Sequence, residues 1–117
     1  MGKLTKEDII LLFLEDPQKL ANEIRRENVP KSDKIRTLIC ELGSARCAYY
    51  YAYHIDQKPT NETRTATCKE PWYAFLYARD VDKKPTDETR NVAYNVAYKD
   101  PYWKREYEQW ENSLKKI

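Results

Sequence analysis

The stretch RDVDKKPTDETRN (residues 79–91) repeats most of an earlier stretch, YHIDQKPTNETRT (residues 53–65). Both copies pass from an apolar-patterned segment through a Lys-Pro pair to a threonine that is followed by Asp or Asn and then Glu. Threonine is a favoured helix N-cap, and acidic residues in a first turn interact favourably with the helix dipole. Each copy therefore predicts a helix end, a loop and a second helix start. We interpret the duplicated element as a structural unit, a helical hairpin, because caps, loop and packing positions are what recur.

Capping and proline signals extend this pattern along the chain. The predicted helix starts are Thr5, Asp16, Ser32, Ser44, Thr60, Glu70, Thr86 and Asp100. Gly43 is the predicted left-handed end of one helix, and the loops elsewhere are short. Together these signals predict eight helices and no strand. The expected fold is all-α, a stack of helical hairpins that forms a short α-solenoid.

The repeats divide one predicted domain (1–117) unevenly. We expect a divergent N-terminal hairpin and cap (1–43), two repeats (44–69 and 70–99) and a C-terminal capping helix (100–117). The repeat starts are Pro17, Ala45, Pro71 and Pro101, at spacings of 28, 26 and 30 residues. The difference between the last two spacings is about one helical turn, so the longer unit keeps its buried face.

Helical periodicity predicts which side of each repeat is buried. Matching positions on one helix face are Ala48, Tyr51, Ala52 and Ile55, then Ala74, Tyr77, Ala78 and Val81. Alanines let helices approach closely, and the tyrosine fills the space beside them. The predicted core stripe is Leu38, Leu42, Tyr51, Ile55, Tyr77, Val81, Val92 and Val96. The last helix has Lys104, Tyr107, Glu108 and Glu111 at the matching positions. Such charge is expected of a terminal repeat. The apolar helix expected to close the other end contains Ile9, Ile10, Leu12, Phe13 and Leu14.

Composition and charge argue against several classes of protein. The chain has 21 basic and 19 acidic residues, a formal net charge of +2 that does not suggest a polyanion-binding tail. Three cysteines without a Cys-x-x-Cys pair, and a single histidine, argue against a metal site. The apolar run IILLFL (residues 9–14) is too short to span a bilayer, and no export-signal cleavage site follows it. We predict a cytoplasmic protein with no membrane association, no metal and no cofactor.

No sequence pattern typical of an enzyme is present. The chain lacks the phosphate-binding loop, the zinc-protease helix and the nucleophile-elbow patterns. His54 is matched by Asp80 in the next repeat, so the duplication does not preserve a catalytic base. We therefore predict a non-enzymatic protein.

Three segments carry a family resemblance: AYYYAYHI (48–55), PWYAFLYARDV (71–81) and DPYW (100–103). Each resembles the tyrosine-rich short α-helical repeats of mostly uncharacterised proteins from bacteriophages and bacteria. The resemblance covers residues 44–110, and the KKPTDETR loop departs from it by lacking the usual glycine. It implies a helical scaffold of phage or mobile-element origin. Such a protein is expected to bind and modulate a host protein, for example a defence component such as a CRISPR effector.

The aromatic residues are concentrated in the second half, where fourteen of the fifteen lie at or after Tyr49. Several of these aromatics, together with arginines, fall off the alanine-lined face in three successive repeats. The predicted partner-binding residues are Arg46, Tyr50, Tyr53, Trp72, Arg79, Tyr102 and Arg105. Tyr, Trp and Arg are enriched at interface hot spots. The alternative is that most of this strip is core and rim, because helices in a two-layer stack are buried on more than one side.

Two kinds of partner fit such a strip. A host protein, or another copy of the chain, could bind it as a rigid helical surface, whereas a single-stranded nucleic acid could stack its bases on the tyrosines. Residues 44–117 contain 13 basic and 11 acidic residues, without the basic excess of a nucleic-acid groove. We predict a protein-binding module and retain the nucleic-acid binder as the alternative.

Overall fold

Eight α-helices account for most of residues 3–94 and 102–115, the part of the chain that the computed structural model describes. They are α1 (Lys6–Glu15), α2 (Pro17–Arg25), α3 (Asp33–Leu42), α4 (Ala45–Tyr50), α5 (Asn61–Thr67), α6 (Pro71–Tyr77), α7 (Asp87–Ala93) and α8 (Tyr102–Lys115). Helices α4 and α6 continue directly as π-helical segments, Tyr51–Asp56 and Ala78–Asp82. The described residues contain no strand, so the predicted all-α fold is confirmed.

Most of the predicted helix caps form the expected hydrogen bonds. The side chains of Thr5, Asp16, Ser32, Ser44, Thr60 and Thr86 each accept a bond from a first-turn backbone amide. Gly43 ends α3 with a φ of 88°, the left-handed conformation predicted for it. Glu70 precedes α6 without a side-chain cap bond. The predicted helix start at Asp100, and residues 95–99 of the predicted repeat 70–99, lie outside the described residues.

The helices pack in two layers. The odd layer contains α1, α3, α5 and α7 in sequence, and the even layer contains α2, α4, α6 and α8. Most helices also pack against their neighbours along the chain, which joins the two layers. Equivalent positions of successive repeats therefore lie side by side within a layer.

Three buried tyrosines join the even layer to the starts of odd helices: Tyr51, at the beginning of the π-helical continuation of α4, Tyr77 in α6 and Tyr107 in α8. The backbone amide of Ser32 donates to the Tyr51 hydroxyl at 3.1 Å, and that of Thr60 donates to the Tyr77 hydroxyl at 3.0 Å. The Tyr107 hydroxyl lies 2.7 Å from a threonine hydroxyl in the first turn of α7. All three tyrosines have no exposed surface. Their hydroxyls can be buried without a large desolvation penalty because each has a hydrogen-bond partner.

A second polar contact repeats beside each buried tyrosine. The ion pairs are Arg36–Asp56, Arg64–Asp82 and Arg90–Glu111. In the first two, the carboxylate has no exposed side-chain area and accepts two guanidinium bonds of 2.6 and 2.9 Å. Each arginine lies four residues after the N-cap of its odd helix, so the tyrosine and the acid hold the same first turn.

The π-helical segments account for the spacing between tyrosine and acid. Asp56 and Asp82 follow their tyrosines by five residues, which is the hydrogen-bond step of a π-helix. Helix α8 is α-helical throughout, and there Glu111 follows Tyr107 by four residues. Glutamate is one methylene longer than aspartate, which compensates for a spacing that is one residue shorter. Glu111 accordingly accepts a bond from Arg90.

Most of the predicted core stripe is buried. Tyr51, Ile55, Tyr77 and Val81 are buried, Leu38, Leu42 and Val92 are half-buried, and Val96 lies outside the described residues. The alanines at the close-packed positions, Ala48, Ala52, Ala74 and Ala78, have no exposed surface. In α1 only Ile9 is fully buried. Of the apolar residues expected to close this end of the stack, Ile10, Leu12 and Phe13 are half-buried, whereas Leu14 is 73% exposed and does not contribute to the core.

Three loops after even helices contain a non-glycine residue in the left-handed region, namely Glu27, Gln57 and Lys83. The left-handed conformation brings Cβ close to the following carbonyl oxygen, which costs about 1 to 2 kcal/mol per residue.

We therefore expect Lys83→Gly to raise the free energy of unfolding by about 0.5 to 1 kcal/mol, once the larger entropy loss of glycine on folding has been subtracted. Urea denaturation would measure this change. Lys83→Ala is the matched control and should give no gain; equal stability of the two variants would contradict the prediction.

Candidate partner-binding surface

Three positions, one on each of three turns, define the outer face of the even layer in α4 and α6, each taken with its π-helical continuation, and in α8. The first and last positions are exposed: Arg46 and Tyr53, Trp72 and Arg79, Tyr102 and Gln109. The middle position is half-buried: Tyr50, Leu76 and Glu106. The same alternation in three helices means that the stack aligns these positions. Six of the seven predicted site residues lie on this outer face, whereas Arg105 does not.

At the amino-terminal ends of α6 and α8, three side chains form what we call the aromatic cluster: Trp72, Tyr102 and Trp103. The Trp103 ring centroid lies 4.0 Å from that of Trp72 and 4.5 Å from that of Tyr102, both edge-on. Trp72 and Tyr102 remain 40% and 43% exposed. A partly exposed cluster of interlocked rings offers apolar contact area with little loss of side-chain entropy on binding.

Arg46 is engaged within the chain. Its Nε donates to the Tyr73 hydroxyl at 2.7 Å, and a second guanidinium nitrogen donates to Gln18. The guanidinium also lies 6.0 Å from the Tyr73 ring centroid. Arg46 therefore links α2, α4 and α6, and only part of its donor capacity remains for a partner.

Tyr53 and Arg79 occupy equivalent positions nearer the carboxyl ends of α4 and α6. The Tyr53 ring is 46% exposed, and its centroid lies 5.9 Å from that of Tyr49 in a stacked arrangement. Arg79 contacts Asp80 at 2.8 Å and lies 5.2 Å from the Phe75 ring. Burial alone would raise the pKa of Asp80, but hydrogen bonds from Arg79 and Tyr49 hold it below its usual value. Both candidate residues are thus exposed and held in place by neighbours.

Two of the predicted residues differ in setting from the others. Tyr50 packs against the apolar core, and its ring lies 5.7 Å from the Arg25 guanidinium, so it supports the outer face from below. Arg105 is equivalent to Tyr49 and Phe75, which are 7% and 5% exposed because they pack towards the next even helix. Arg105 lies on the corresponding stacking face of α8 and is exposed there.

A groove of about 600 Å³ lies where α2, α4 and α6 end, and we call it the carboxy-end groove. Its walls include Tyr53 and Asp80, and three cations, Arg25, Lys58 and Lys83. These cations were not among the predicted site residues, because the helix faces alone were considered as binding surfaces and the Lys-Pro loops were interpreted only as helix ends. The recurrence of lysine in both copied loops is the sequence signal that would have indicated a basic groove here.

Burial and neighbouring charges shift the pKa values of the cysteines and of the histidine. Burial raises the pKa of the Cys40 and Cys68 thiols to about 12, so both are thiols at neutral pH. Burial and nearby Arg25 lower the pKa of His54. Within residues 3–94 and 102–115, no group of three or more His, Cys, Asp or Glu residues is placed to hold a metal ion. In the same part of the chain, every helix is too short or too polar to cross a membrane.

Comparison with known proteins gives no matching family model, no matching curated protein and no matching solved structure.

Proposed function

We propose that this chain is a non-enzymatic protein-binding module from a phage or mobile element, and that it binds and modulates a bacterial host protein in the cytoplasm. The outer face of the even layer is its binding surface. A defence protein of the host, such as a CRISPR effector, is the kind of target that the tyrosine-rich repeats suggest. Another copy of the chain is the other protein partner that the surface could take.

The alignment of exposed aromatic and arginine side chains supports this proposal most directly. Tyr53, Trp72 and Tyr102 are three of the five large apolar side chains that are exposed in the described residues. All three lie on the outer face, together with Arg46 and Arg79. Exposed aromatics grouped on one rigid surface, and accompanied by arginine, are typical of protein interfaces.

Two variants of this surface test the proposal. Tyr53→Ala and Trp72→Ala should each weaken partner binding by about 2 kcal/mol or more, roughly 30-fold in Kd, if both rings are hot spots. The partner would be captured from nuclease-treated host lysate, identified by mass spectrometry and purified. Binding would then be measured by calorimetry with wild-type and variant proteins, and the melting temperature of each variant would be recorded.

Leu11→Ala is the matched control, because Leu11 is an exposed apolar residue in α1, off the outer face. It should leave binding unchanged. A marked loss of melting temperature in Tyr53→Ala and Trp72→Ala would assign these rings to the core instead. Binding of a single-stranded oligonucleotide to the purified chain, with strong salt dependence and with no protein captured from the lysate, would favour the alternative function.

A further inference from the structure

The carboxy-end groove combines uncompensated positive charge with an aromatic wall. Arg25 comes from the end of α2, Lys58 from the loop after α4 and Lys83 from the loop after α6. None of these three cations forms an ion pair with another described residue. Three successive repeats thus contribute one cation each to a single groove.

The carboxylates of the groove only partly offset this charge. Asp80 already accepts bonds from Arg79 at 2.8 Å and from the Tyr49 hydroxyl at 2.8 Å. Glu27 is therefore the one carboxylate among the lining residues that is left to balance Arg25 and the two lysines. The carboxyl ends of three helices add partial negative charge there, equivalent to about half a charge each and falling off within the last turn; Lys83 is the C-cap residue at one of these ends, and Lys58 lies one residue past the C-cap of another.

The aromatic wall of the groove is held in position before any ligand binds. The Tyr53 ring lies against Tyr49, and its centroid is 4.9 Å from that of His54. Val81, 7% exposed, also lines the groove. A ligand with negative charge and small apolar groups would meet complementary groups on both sides.

We propose that the carboxy-end groove binds an acidic segment of a partner protein, with the segment's carboxylates at Arg25, Lys58 and Lys83 and its apolar groups against Tyr53. This inference rests on the proposed function and specifies the chemistry of the partner. A protein segment fits better than a nucleic acid because Glu27 would face the phosphates of a continuous polyanion. Three cations are also few for a groove that tracks a phosphate backbone.

A short fluorescein-labelled peptide of alternating glutamate and alanine is the probe, and fluorescence anisotropy at low salt gives its Kd. We expect Lys58→Gln/Lys83→Gln to weaken binding by about tenfold or more, because both charges would face the peptide carboxylates. The imidazole signals of His54, the only histidine, should shift in the NMR spectrum when the peptide is added. A peptide in which glutamine replaces glutamate should bind far more weakly.

Lys31→Gln/Lys84→Gln is the matched control, since it removes two exposed loop lysines that do not line the groove. It should leave the Kd unchanged. Equal binding of the glutamine peptide, no binding of the glutamate peptide, or no effect of the groove variant would overturn the inference. So would tighter binding of an oligothymidylate that the groove variant loses. Protein capture that still depends on Trp72 in any of these cases would leave the proposed function standing.

Discussion

Ala78→Glu is expected to lower the free energy of unfolding by about 3 kcal/mol or more, because it would place an unpaired charge in a close helix contact. Ala78 has no exposed surface and lies in a cluster with Phe75, Ala93 and Tyr107. The added side chain would also exceed the space that an alanine leaves between packed helices. Urea or thermal denaturation followed by circular dichroism measures the loss, and Ala52→Glu should behave in the same way.

The chain itself contains a control for this prediction. Glu108 is the equivalent of Ala52 and Ala78 in α8, and it is exposed. Glu108→Ala should therefore change stability by about 0.5 kcal/mol or less, as expected for a surface substitution. Wild-type melting of both alanine variants would mean that the buried and exposed faces have been assigned the wrong way round.

Arg64→Ala is expected to cost about 3 to 5 kcal/mol, because it leaves the buried Asp82 carboxylate without its partner. The Asp82 side chain has no exposed area, and both of its oxygens accept bonds from Arg64. An unpaired carboxylate in such a site would be stabilised only by protonation or by local opening of the loop. Equilibrium denaturation at neutral pH measures this effect.

Two further variants show whether the charge itself is responsible. Arg64→Met/Asp82→Leu removes both charges and keeps apolar volume, so it should recover most of the stability that the single variant loses. Arg26→Ala breaks an exposed ion pair with Glu23 and should change stability by about 1 kcal/mol at most. A loss in Arg64→Ala no larger than that in Arg26→Ala would contradict a structural role for the buried pair.

The helices could be predicted from the sequence because their signals are local. Ser32, Thr60 and Thr86 were identifiable as caps from the residues that follow them, and Gly43 as a helix end. The burial of Tyr51 and Tyr77 followed from their spacing to the alanines. The glutamates of the copied loops were explained only by the helix dipole. The structure adds lateral bonds, because Glu62 accepts one from Thr37 at 3.2 Å and Glu88 accepts one from Thr65, in the preceding odd helix, at 3.0 Å.

The buried ion pairs were not predictable in the same way. Arg64 and Asp82 are 18 residues apart, and the pairing depends on how two layers meet. The π-helical step also moves the acid off the positions that a 3.6-residue period would select. A similar limit applies to the outer face. Its composition could be read from the sequence, but whether Tyr50, Tyr53 or Arg105 would be covered depended on the packing of neighbouring even helices.

The polar contacts of the buried tyrosines bear on where this chain could be cut or extended. Tyr51 and Asp56 hold the start of α3, Tyr77 and Asp82 hold the start of α5, and Tyr107 and Glu111 hold the start of α7, so three of the even helices each secure the odd helix before them. The unit that these polar contacts close is thus an odd helix with the even helix that follows, whereas the sequence duplication groups them the other way. A truncation or a graft placed after an even helix keeps every such unit intact. One placed after α3, α5 or α7 leaves an arginine without its acid and a helix start without its tyrosine hydroxyl.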